Sequence, residues 1–237
     1  MFLDRLKDRF SARLDVSNLN GTNGFAINGI DQDDDSGRSV SNAGDVNGDG
    51  IDDLIISAPS ADTNGSDSGQ CYVVFGSRGG FGANFDLSTL NGTNGFAING
   101  INPGDRLGVV SNAGDINGDG FADLIIGTGF GDPNGDNSGQ SYVVFGSNGG
   151  FSPSFNLSAL NGINGFIING INVFDYSGGS VSSAGDINGD GFADLIIGAT
   201  CADPNGDYSG QTYVLFGGKN IGSGGTKSLS GNNLPSF

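Results

Sequence analysis

The stretch Ala43–Ser57 reads AGDVNGDGIDDLIIS, and it returns as AGDINGDGFADLIIG from Ala113 and again from Ala184. Two further segments recur with it in three copies each: LNGTNGFAINGI from Leu19 and Leu90 with LNGINGFIINGI from Leu160, and SGQCYVVFGS from Ser68 with counterparts from Ser138 and Ser209. The spacing between copies is 70 or 71 residues each time. A fixed period is the signature of a repeat architecture, so the sequence predicts three structural repeats.

Each repeat contains four short apolar runs that are rich in β-branched or aromatic residues and bounded by turn residues. In the first repeat the predicted strands are Arg38–Gly44, Asp53–Ala58, Gln70–Gly76 and Gly95–Gly100. Asn-Gly dipeptides separate the runs, and this pair favours tight hairpin turns because both residues tolerate positive φ. Four antiparallel strands joined in this way are typical of a propeller blade. The predicted fold is therefore all-β, with three four-stranded blades; a long β-sandwich is the alternative.

The predicted domain organisation follows the repeat. Residues 1–13 are expected to form a leader, either a short helix or an expression scar, and residues 14–218 to hold the blades, at about 14–83, 84–153 and 154–218. Residues 219–237 form a Gly/Ser/Asn-rich tail that is expected to be irregular.

Three blades do not close a ring, because closed propellers typically have about four to eight. The N-terminal run at residues 24–29 reads as the fourth strand of a blade whose other strands lie elsewhere. A head-to-tail homodimer of six blades is therefore the favoured prediction. A larger assembly, an open filament and a fragment of a longer protein are the alternatives.

The composition narrows the possible functions. All 26 acidic residues are aspartate, the formal net charge is −17, and there is no histidine. Asp, Asn and Gly favour turns over helices, and the acidic surface disfavours nucleic acid and anionic lipid. Without histidine, imidazole-based zinc sites and Ser-His-Asp triads are excluded. No apolar stretch is long enough for a membrane span, and Cys71 and Cys201 are expected to be free thiols.

The chemistry is concentrated in one nine-residue loop per repeat, with the pattern D-x-N-x-D-G-x-x-D. Positions 1, 3, 5 and 9 offer side-chain oxygens, and position 7 offers its backbone carbonyl. An all-oxygen cage of this kind suits Ca²⁺ better than Mg²⁺, because Ca²⁺ accepts six to eight oxygens in flexible geometry. Three calcium ions per chain are predicted. Their ligands are Asp45, Asn47, Asp49, Ile51 and Asp53; Asp115, Asn117, Asp119, Phe121 and Asp123; and Asp186, Asn188, Asp190, Phe192 and Asp194.

An EF-hand and an Asx-rich turn without metal are the two other interpretations of the aspartates. An EF-hand needs a Glu at its twelfth position, whereas Ile56, Ile126 and Ile197 stand there and the chain has no Glu. An Asx-rich turn without metal is the second alternative, and three complete copies argue against it. The recurring acids outside the loops are interpreted as turn-capping residues: Asp34, Asp105 and Asp175, and Asp62, Asp132 and Asp203.

With the loop, the Asp-Leu-Ile-Ile run and the Tyr-Val-x-Phe-Gly run taken together, the repeat resembles the FG-GAP repeat of the integrin α-subunit N-terminal propeller and its bacterial relatives. The resemblance covers roughly residues 14–218. It implies a β-propeller whose loops bind calcium between the first two strands of a blade. The leading Phe-Gly of the motif is kept only as Gly37, Gly108 and Gly178, and the Gly-Ala-Pro element is altered in all three repeats.

The function expected from these features is a calcium-dependent adhesion or binding module, extracellular or at a cell surface, with a protein or glycan ligand. A structural unit that assembles into rings, fibres or a surface layer is the alternative. Catalysis is not expected, because histidine is absent and no acid pair stands apart from the repeat. Nucleic-acid binding and membrane insertion are not expected either.

Overall fold

The computed structural model of the chain describes residues 15–229. The predicted leader, residues 1–13, lies outside this range. Three one-turn 3₁₀-helices occur in the described residues, at Val16–Asn18, Leu87–Thr89 and Leu157–Ala159. The strands are β1 (Ala26–Asn28), β2 (Val40–Gly44), β3 (Asp53–Ala58), β4 (Gln70–Val74), β5 (Asn84–Asp86), β6 (Gly95–Asn99), β7 (Val109–Gly114), β8 (Asp123–Thr128), β9 (Gln140–Val144), β10 (Ser154–Asn156), β11 (Gly165–Asn169), β12 (Ser177–Gly185), β13 (Asp194–Ala199), β14 (Gln211–Leu215) and β15 (Thr226–Ser228).

The predicted four-stranded antiparallel unit is confirmed twice. Strands β2, β3, β4 and β6 form blade 1, and strands β7, β8, β9 and β11 form blade 2, with every neighbouring pair antiparallel. The third sheet, blade 3, contains only β12, β13 and β14 in the described residues. The fourth strand of each complete blade comes from the start of the following sequence repeat.

Two details differ from the sequence prediction. The boundaries expected near residues 83 and 153 separate each fourth strand from its own blade, since β6 pairs with β4 and β11 with β9. The tail is not wholly irregular, because β15 pairs in parallel with β11 and Leu229 is buried against blade 2. Three residues of extended chain are enough for such a pairing, and a Gly/Ser-rich composition does not reveal them.

A short parallel strand borders β1 and each of the two fourth strands, β6 and β11. Strand β5 pairs with β1, β10 with β6 and β15 with β11. These strands are not predictable from the sequence, because three residues are too few for a recognisable alternation. They hold the outer strand of one blade against the chain that leads into the next.

Two of the three buried apolar clusters lie between neighbouring blades. One buried cluster joins the face of blade 1 that carries Ile55 and Val73 to the face of blade 2 that carries Leu124 and Tyr142. A second cluster joins blades 2 and 3 in the same way. Strand alternation makes this possible, because successive side chains of each strand point to opposite faces of its blade. On the outer face of blade 1, a third cluster buries Ile56, Tyr72 and Val74 against Leu87 without a neighbouring blade, whereas Val40 and Leu54 of the same face stay exposed.

Candidate calcium sites

The three predicted loops occupy the same place in every blade. Each begins directly after the first strand and ends on the first residue of the second, so Asp53, Asp123 and Asp194 open β3, β8 and β13. The register of the first hairpin shifts by one residue at Asn42/Gly44, Asn112/Gly114 and Ser183/Gly185. A shift of this kind bends the strand end, and here it precedes the acidic loop.

The first aspartate of each loop organises the backbone around itself. One carboxylate oxygen of Asp45 accepts hydrogen bonds from the N–H groups of Gly48 and Asp49 at 2.8 and 3.0 Å, and the other accepts from Gly50 at 2.8 Å. Gly50 has a φ of +82°, which favours glycine. The second and third loops repeat all three contacts. The loop is therefore curled tightly by its own sequence.

Positions 3 and 5 lie next to each other near the surface. The side-chain oxygen of Asn47 accepts from the Asp49 N–H at 2.9 Å, while its amide donates to the Asp49 carboxylate at 3.3 Å. The other carboxylate oxygen of Asp49 accepts from the Ile51 N–H at 2.9 Å. Equivalent contacts link Asn117 with Asp119 and Asn188 with Asp190. Amide and carboxylate oxygens are thus brought together on the outer side of each loop.

The aspartate at position 9 is buried and ties three pieces of chain together. Asp53 is fully buried and accepts from the N–H of Val46 at 3.0 Å and from that of Gly76, just after β4, at 2.8 Å. Asp123 and Asp194 make the same pairs of bonds. The sequence pattern predicts these residues as metal ligands but does not reveal their bonds to the backbone. The recurring Phe-Gly after the third strand was the available signal.

Burial also changes the acidity of two of these carboxyls. Desolvation raises the pKa of Asp53 to about 6, and the charges of Asp49 and Asp45 add to the rise against the two backbone hydrogen bonds. Desolvation raises the pKa of Asp123 to about 8, with the same opposing hydrogen bonds and with added repulsion from Asp119 and Asp115. Within residues 15–229 the one ion pair joins Arg106 to Asp67, so no basic side chain pairs with these carboxylates.

The donor set fits a hard cation. It contains only oxygen, and the Ile51, Phe121 and Phe192 carbonyls accept no hydrogen bond from the described residues. A buried carboxylate without a counter-ion is costly, and a divalent cation would remove that cost. As the loops stand, the described residues hold no group of three acidic or thiol side chains arranged for a metal ion.

The first two loops also contact the blade that follows them. The Asp45 carbonyl accepts from the Ala122 N–H at 3.1 Å, and the Val46 carbonyl accepts from the Ser147 N–H at 2.9 Å. Asp115 and Ile116 make the equivalent bonds to Ala193 and Gly218. An ordered loop would therefore stabilise the joint between two blades as well as its own hairpin.

The acids outside the loops behave as the sequence analysis predicted where the structure shows their contacts. The side chain of Asp62 accepts from the Asp67 N–H at 2.8 Å, and that of Asp132 accepts from the Asn137 N–H at 2.6 Å. Both contacts close a turn. Cys71 and Cys201 are free thiols, as expected, with Cys71 buried.

The FG-GAP repeat matches residues 36–74, 108–144 and 177–215, which are the first three strands of each blade. Integrin alpha-4 of Xenopus laevis is 34% identical over 163 residues, which cover 68% of this chain and 14% of that protein. Integrin alpha-IIb of Mus musculus is 29% identical over 180 residues, 72% of this chain and 15% of that protein.

An enzyme is also among the similar proteins. The phosphatidylinositol-glycan-specific phospholipase D of Dictyostelium discoideum is 30% identical over 220 residues, 86% of this chain and 22% of that protein. The chain thus spans only 14 to 22% of the length of these relatives. Among residues 15–229, no helix is both long enough and apolar enough to cross a membrane. The three matched repeats, the blade topology and the integrin similarity together identify the chain as an FG-GAP repeat protein that resembles the N-terminal domains of integrin α subunits.

Proposed function

We propose that this chain is a calcium-stabilised β-propeller module of the adhesion type, which binds a protein or glycan ligand outside cells or at their surface. One observation carries the calcium part of the proposal: three copies of an all-oxygen loop, each with a buried aspartate that has no cationic partner in the described residues. The similarity to integrin α subunits supports the adhesion part.

Calcium would act on the joints between blades. Positions 1 and 2 of the first two loops accept backbone hydrogen bonds from the next blade, so an ion that fixes the loop also fixes that contact. The ion supplies positive charge for three carboxylates that otherwise repel one another. A ligand that binds across several blades would then meet a rigid surface.

The calcium proposal is tested by isothermal titration with Ca²⁺ after chelation. We expect three ions per chain for the unmodified protein and none for the combined variant Asp49→Ala, Asp119→Ala and Asp190→Ala. A charge-matched control removes three exposed carboxylates outside the loops, Asp31→Ala, Asp136→Ala and Asp207→Ala, and should keep all three ions. Absence of heat from the unmodified chain would refute the calcium sites.

The adhesion proposal is tested by attachment of cells to surfaces coated with the chain. Attachment should require Ca²⁺ and should be lost with the loop variant but not with the charge-matched control. Equal attachment to all three surfaces would contradict a calcium-dependent ligand site.

We further propose that the module has no catalytic activity of its own. The chain has no histidine, and three of the six buried aspartates in the described residues, Asp53, Asp123 and Asp194, hold backbone N–H groups in repeated positions. The similar phospholipase D is several times longer than the region it shares with this chain. Incubation with a phosphatidylinositol-glycan-anchored protein should release none of it, and release at a rate dependent on this chain would overturn the proposal.

A further inference from the structure

At one end of the stack of blades a strand lies outside any blade, and at the other end a blade has only three strands in the described residues. Within residues 15–229, strand β1 has the sequence of a fourth strand but pairs only with β5, and blade 3 has no fourth strand beside β14. We propose that blade 3 of this chain is a docking surface for a second copy, whose β1 adds to β14 while its blade 1 packs on the open face of blade 3.

The sequence of β1 is that of the strand which occupies this position in blade 1. Residues 19–30 and 90–101 are identical, and residues 95–99 pair with β4 in antiparallel register. The same register would place Asn28, Ile27 and Ala26 of the second copy opposite Gln211, Thr212 and Tyr213. Strand β1 is already held in an extended conformation, because β5 pairs with it over three residues. Adding an extended strand to an open edge is a common mode of recognition.

Within the described part of the chain, the side-chain amide of Gln211, at the β14 edge, lacks the hydrogen-bond acceptor that the equivalent glutamines of blades 1 and 2 have. The Gln70 amide donates to Asn99 at 2.7 Å and the Gln140 amide to Asn169 at 2.6 Å. Among residues 15–229, the Gln211 side chain only accepts, from the Tyr213 hydroxyl at 2.8 Å. Its free amide would reach Asn28 of the second copy.

Within residues 15–229, the side-chain amide of Asn205 also lacks the hydrogen bond that its equivalents make in the other two repeats. The Asn64 side chain donates to the Gly100 carbonyl and that of Asn134 to the Gly170 carbonyl, both at 2.6 Å. The side-chain amide of Asn205, the third copy, makes no such bond among the described residues. In the proposed joint it would meet Gly29 of the second copy.

Apolar exposure at the two ends points to the same contact. On the outer face of blade 3, Val214 is 41% and Ile187 57% exposed; on the outer face of blade 1, Val40 is 66% and Leu54 37% exposed. At the joints inside the chain, the residues equivalent to these four are all 7% exposed or less. In the same order as the exposed residues, the equivalents are Val73 and Val143, Val46 and Ile116, Val110 and Val181, and Leu124 and Leu195. A cleft of about 490 Å³ also opens on blade 3 beside Ile196 and Thr212.

Among the described residues, the third loop also lacks the contact that the first two loops make with the position-7 residue of the following blade. A Cβ at Gly48 would overlap the Phe121 ring, and one at Gly118 would overlap the Phe192 ring, each at 2.4 Å. A Cβ at Gly189 would meet no atom of the described residues within 4 Å. The third loop therefore has room for Ile51 of a second copy, which is the residue equivalent to Phe121.

Ring geometry selects the number of copies. Propellers typically close with about four to eight blades, and six is the only multiple of three in that range. Two copies joined head to tail through two identical contacts would complete six four-stranded blades and leave no open edge. The joint is expected to be weaker than the one between blades 1 and 2, because Asp35 takes the place of Arg106, whose guanidinium pairs with Asp67 at 3.1 Å.

The first test is the mass of the intact chain by native mass spectrometry and light scattering at about 0.15 M salt, where long-range repulsion between acidic chains is screened. One chain has a mass of 23.9 kDa, and the dimer should have twice that mass. Val214→Asp should weaken dimerisation by roughly 100-fold or more, because it buries an unpaired carboxylate. The matched control Ile163→Asp changes a residue that is 87% exposed and has exposed threonines as counterparts, so it should have no effect.

A second variant changes strand β1 instead of the outer face of blade 3. The Ala26 N–H donates to the Ala83 carbonyl at 2.9 Å, so alternation directs the Ile27 N–H towards the open side. Ile27→Pro removes that donor and should also give monomers. A mixture of Val214→Asp and Ile27→Pro chains should recover heterodimers, because one of their two contacts is unmodified. Failure to recover them, with both variants folded by circular dichroism, would overturn the strand exchange.

Register is tested by disulfide formation in a Cys201→Ser background. Ile27→Cys with Thr212→Cys places two thiols opposite each other across the joint and should give a covalent dimer on oxidation. Ile27→Cys with Gln211→Cys shifts the pair by one residue onto opposite faces and should not. A chain that is monomeric at all concentrations, or that crosslinks equally well in both registers, would refute the proposal.

Discussion

The side-chain amide of Gln70 donates to the side-chain oxygen of Asn99 across 2.7 Å, and this bond joins two consecutive sequence repeats within one blade. The amide of Asn99 in turn donates to Ser154 and Asn156 at 2.9 and 2.8 Å, on the short strand that borders the blade. Asn99 therefore links three strands that are up to 86 residues apart in sequence, from Gln70 to Asn156. Blade closure depends on a polar network as well as on apolar packing.

Asn99→Ala should lower the free energy of unfolding by about 1–3 kcal/mol, because it leaves Gln70 and the β10 side chains without partners. Denaturant unfolding measures the change. Asn28→Ala is the matched control, since Asn28 lies in an identical stretch but makes no such bonds within residues 15–229. The control should cost much less when the chain is dilute enough to be monomeric, and an equal loss would contradict the role assigned to the network.

Calcium should raise the melting temperature. Saturation at 100 times the dissociation constant stabilises a folded protein by about 2.7 kcal/mol per site, and 1 kcal/mol corresponds to about 2–4 °C for a chain of this size. Each loop should therefore contribute roughly 5–11 °C, and removing one loop with Asp119→Ala should remove about a third of the total shift. A melting curve that chelation leaves unchanged would contradict this prediction.

Phe96→Ala should be among the most damaging core substitutions. Phe96 is fully buried and stacks on Phe151 with ring centroids 4.3 Å apart and planes at 4°. Loss of such a ring costs about 3–5 kcal/mol. Phe25 stacks on Phe81 in the same way at 4.2 Å but is only half-buried, so Phe25→Ala should cost less in the monomeric chain. Chemical denaturation of both variants at low protein concentration makes the comparison.

Gly146→Ala should destabilise the joint between blades 1 and 2. A Cβ at Gly146 would lie 2.4 Å from the Ala122 carbonyl oxygen and 2.9 Å from that of Val46, and backbone cannot move aside as a side chain can. Overpacking of this kind costs about 1–3 kcal/mol. Gly82→Ala is the control, because its Cβ would meet only the Asn84 carbonyl, at an ordinary 3.6 Å. Equal melting temperatures for the two variants would refute the steric argument.

The chain should lose stability as the pH rises above 4, in part through Asp105. Burial raises the pKa of Asp105 above its usual value, against the hydrogen bond from Asn102. The folded state then keeps a proton that the unfolded state releases, so stability is highest below the unfolded pKa and falls as the pH rises towards the folded one. Asp105→Asn should flatten this fall, by at most about 1.4 kcal/mol per pH unit. A profile that the substitution leaves unchanged would show that Asp105 does not contribute.

Much of the fold could be predicted because each strand pattern occurs three times in the sequence. Three copies of the Asp-Leu-Ile-Ile and Tyr-Val-x-Phe-Gly runs defined the inner strands, and β3 has the predicted bounds, Asp53–Ala58. The short strands β5, β10 and β15 could not be predicted, because three residues show no periodicity. The backbone bonds of Asp53 to Val46 and Gly76 were also invisible, since they depend on how the loop folds back over the end of the third strand.

The sequence by itself determined the local structure. The turns, the strand alternation and the oxygen-rich loops each recur wherever the corresponding sequence motif recurs. It did not determine the environment of each copy. The segments at residues 19–30 and 90–101 are identical, yet Phe96 is fully buried and Phe25 is not. Only the tertiary structure decided that difference, because hydrophobic burial depends on a neighbouring blade and the first and last positions of the stack have a neighbour on one side only.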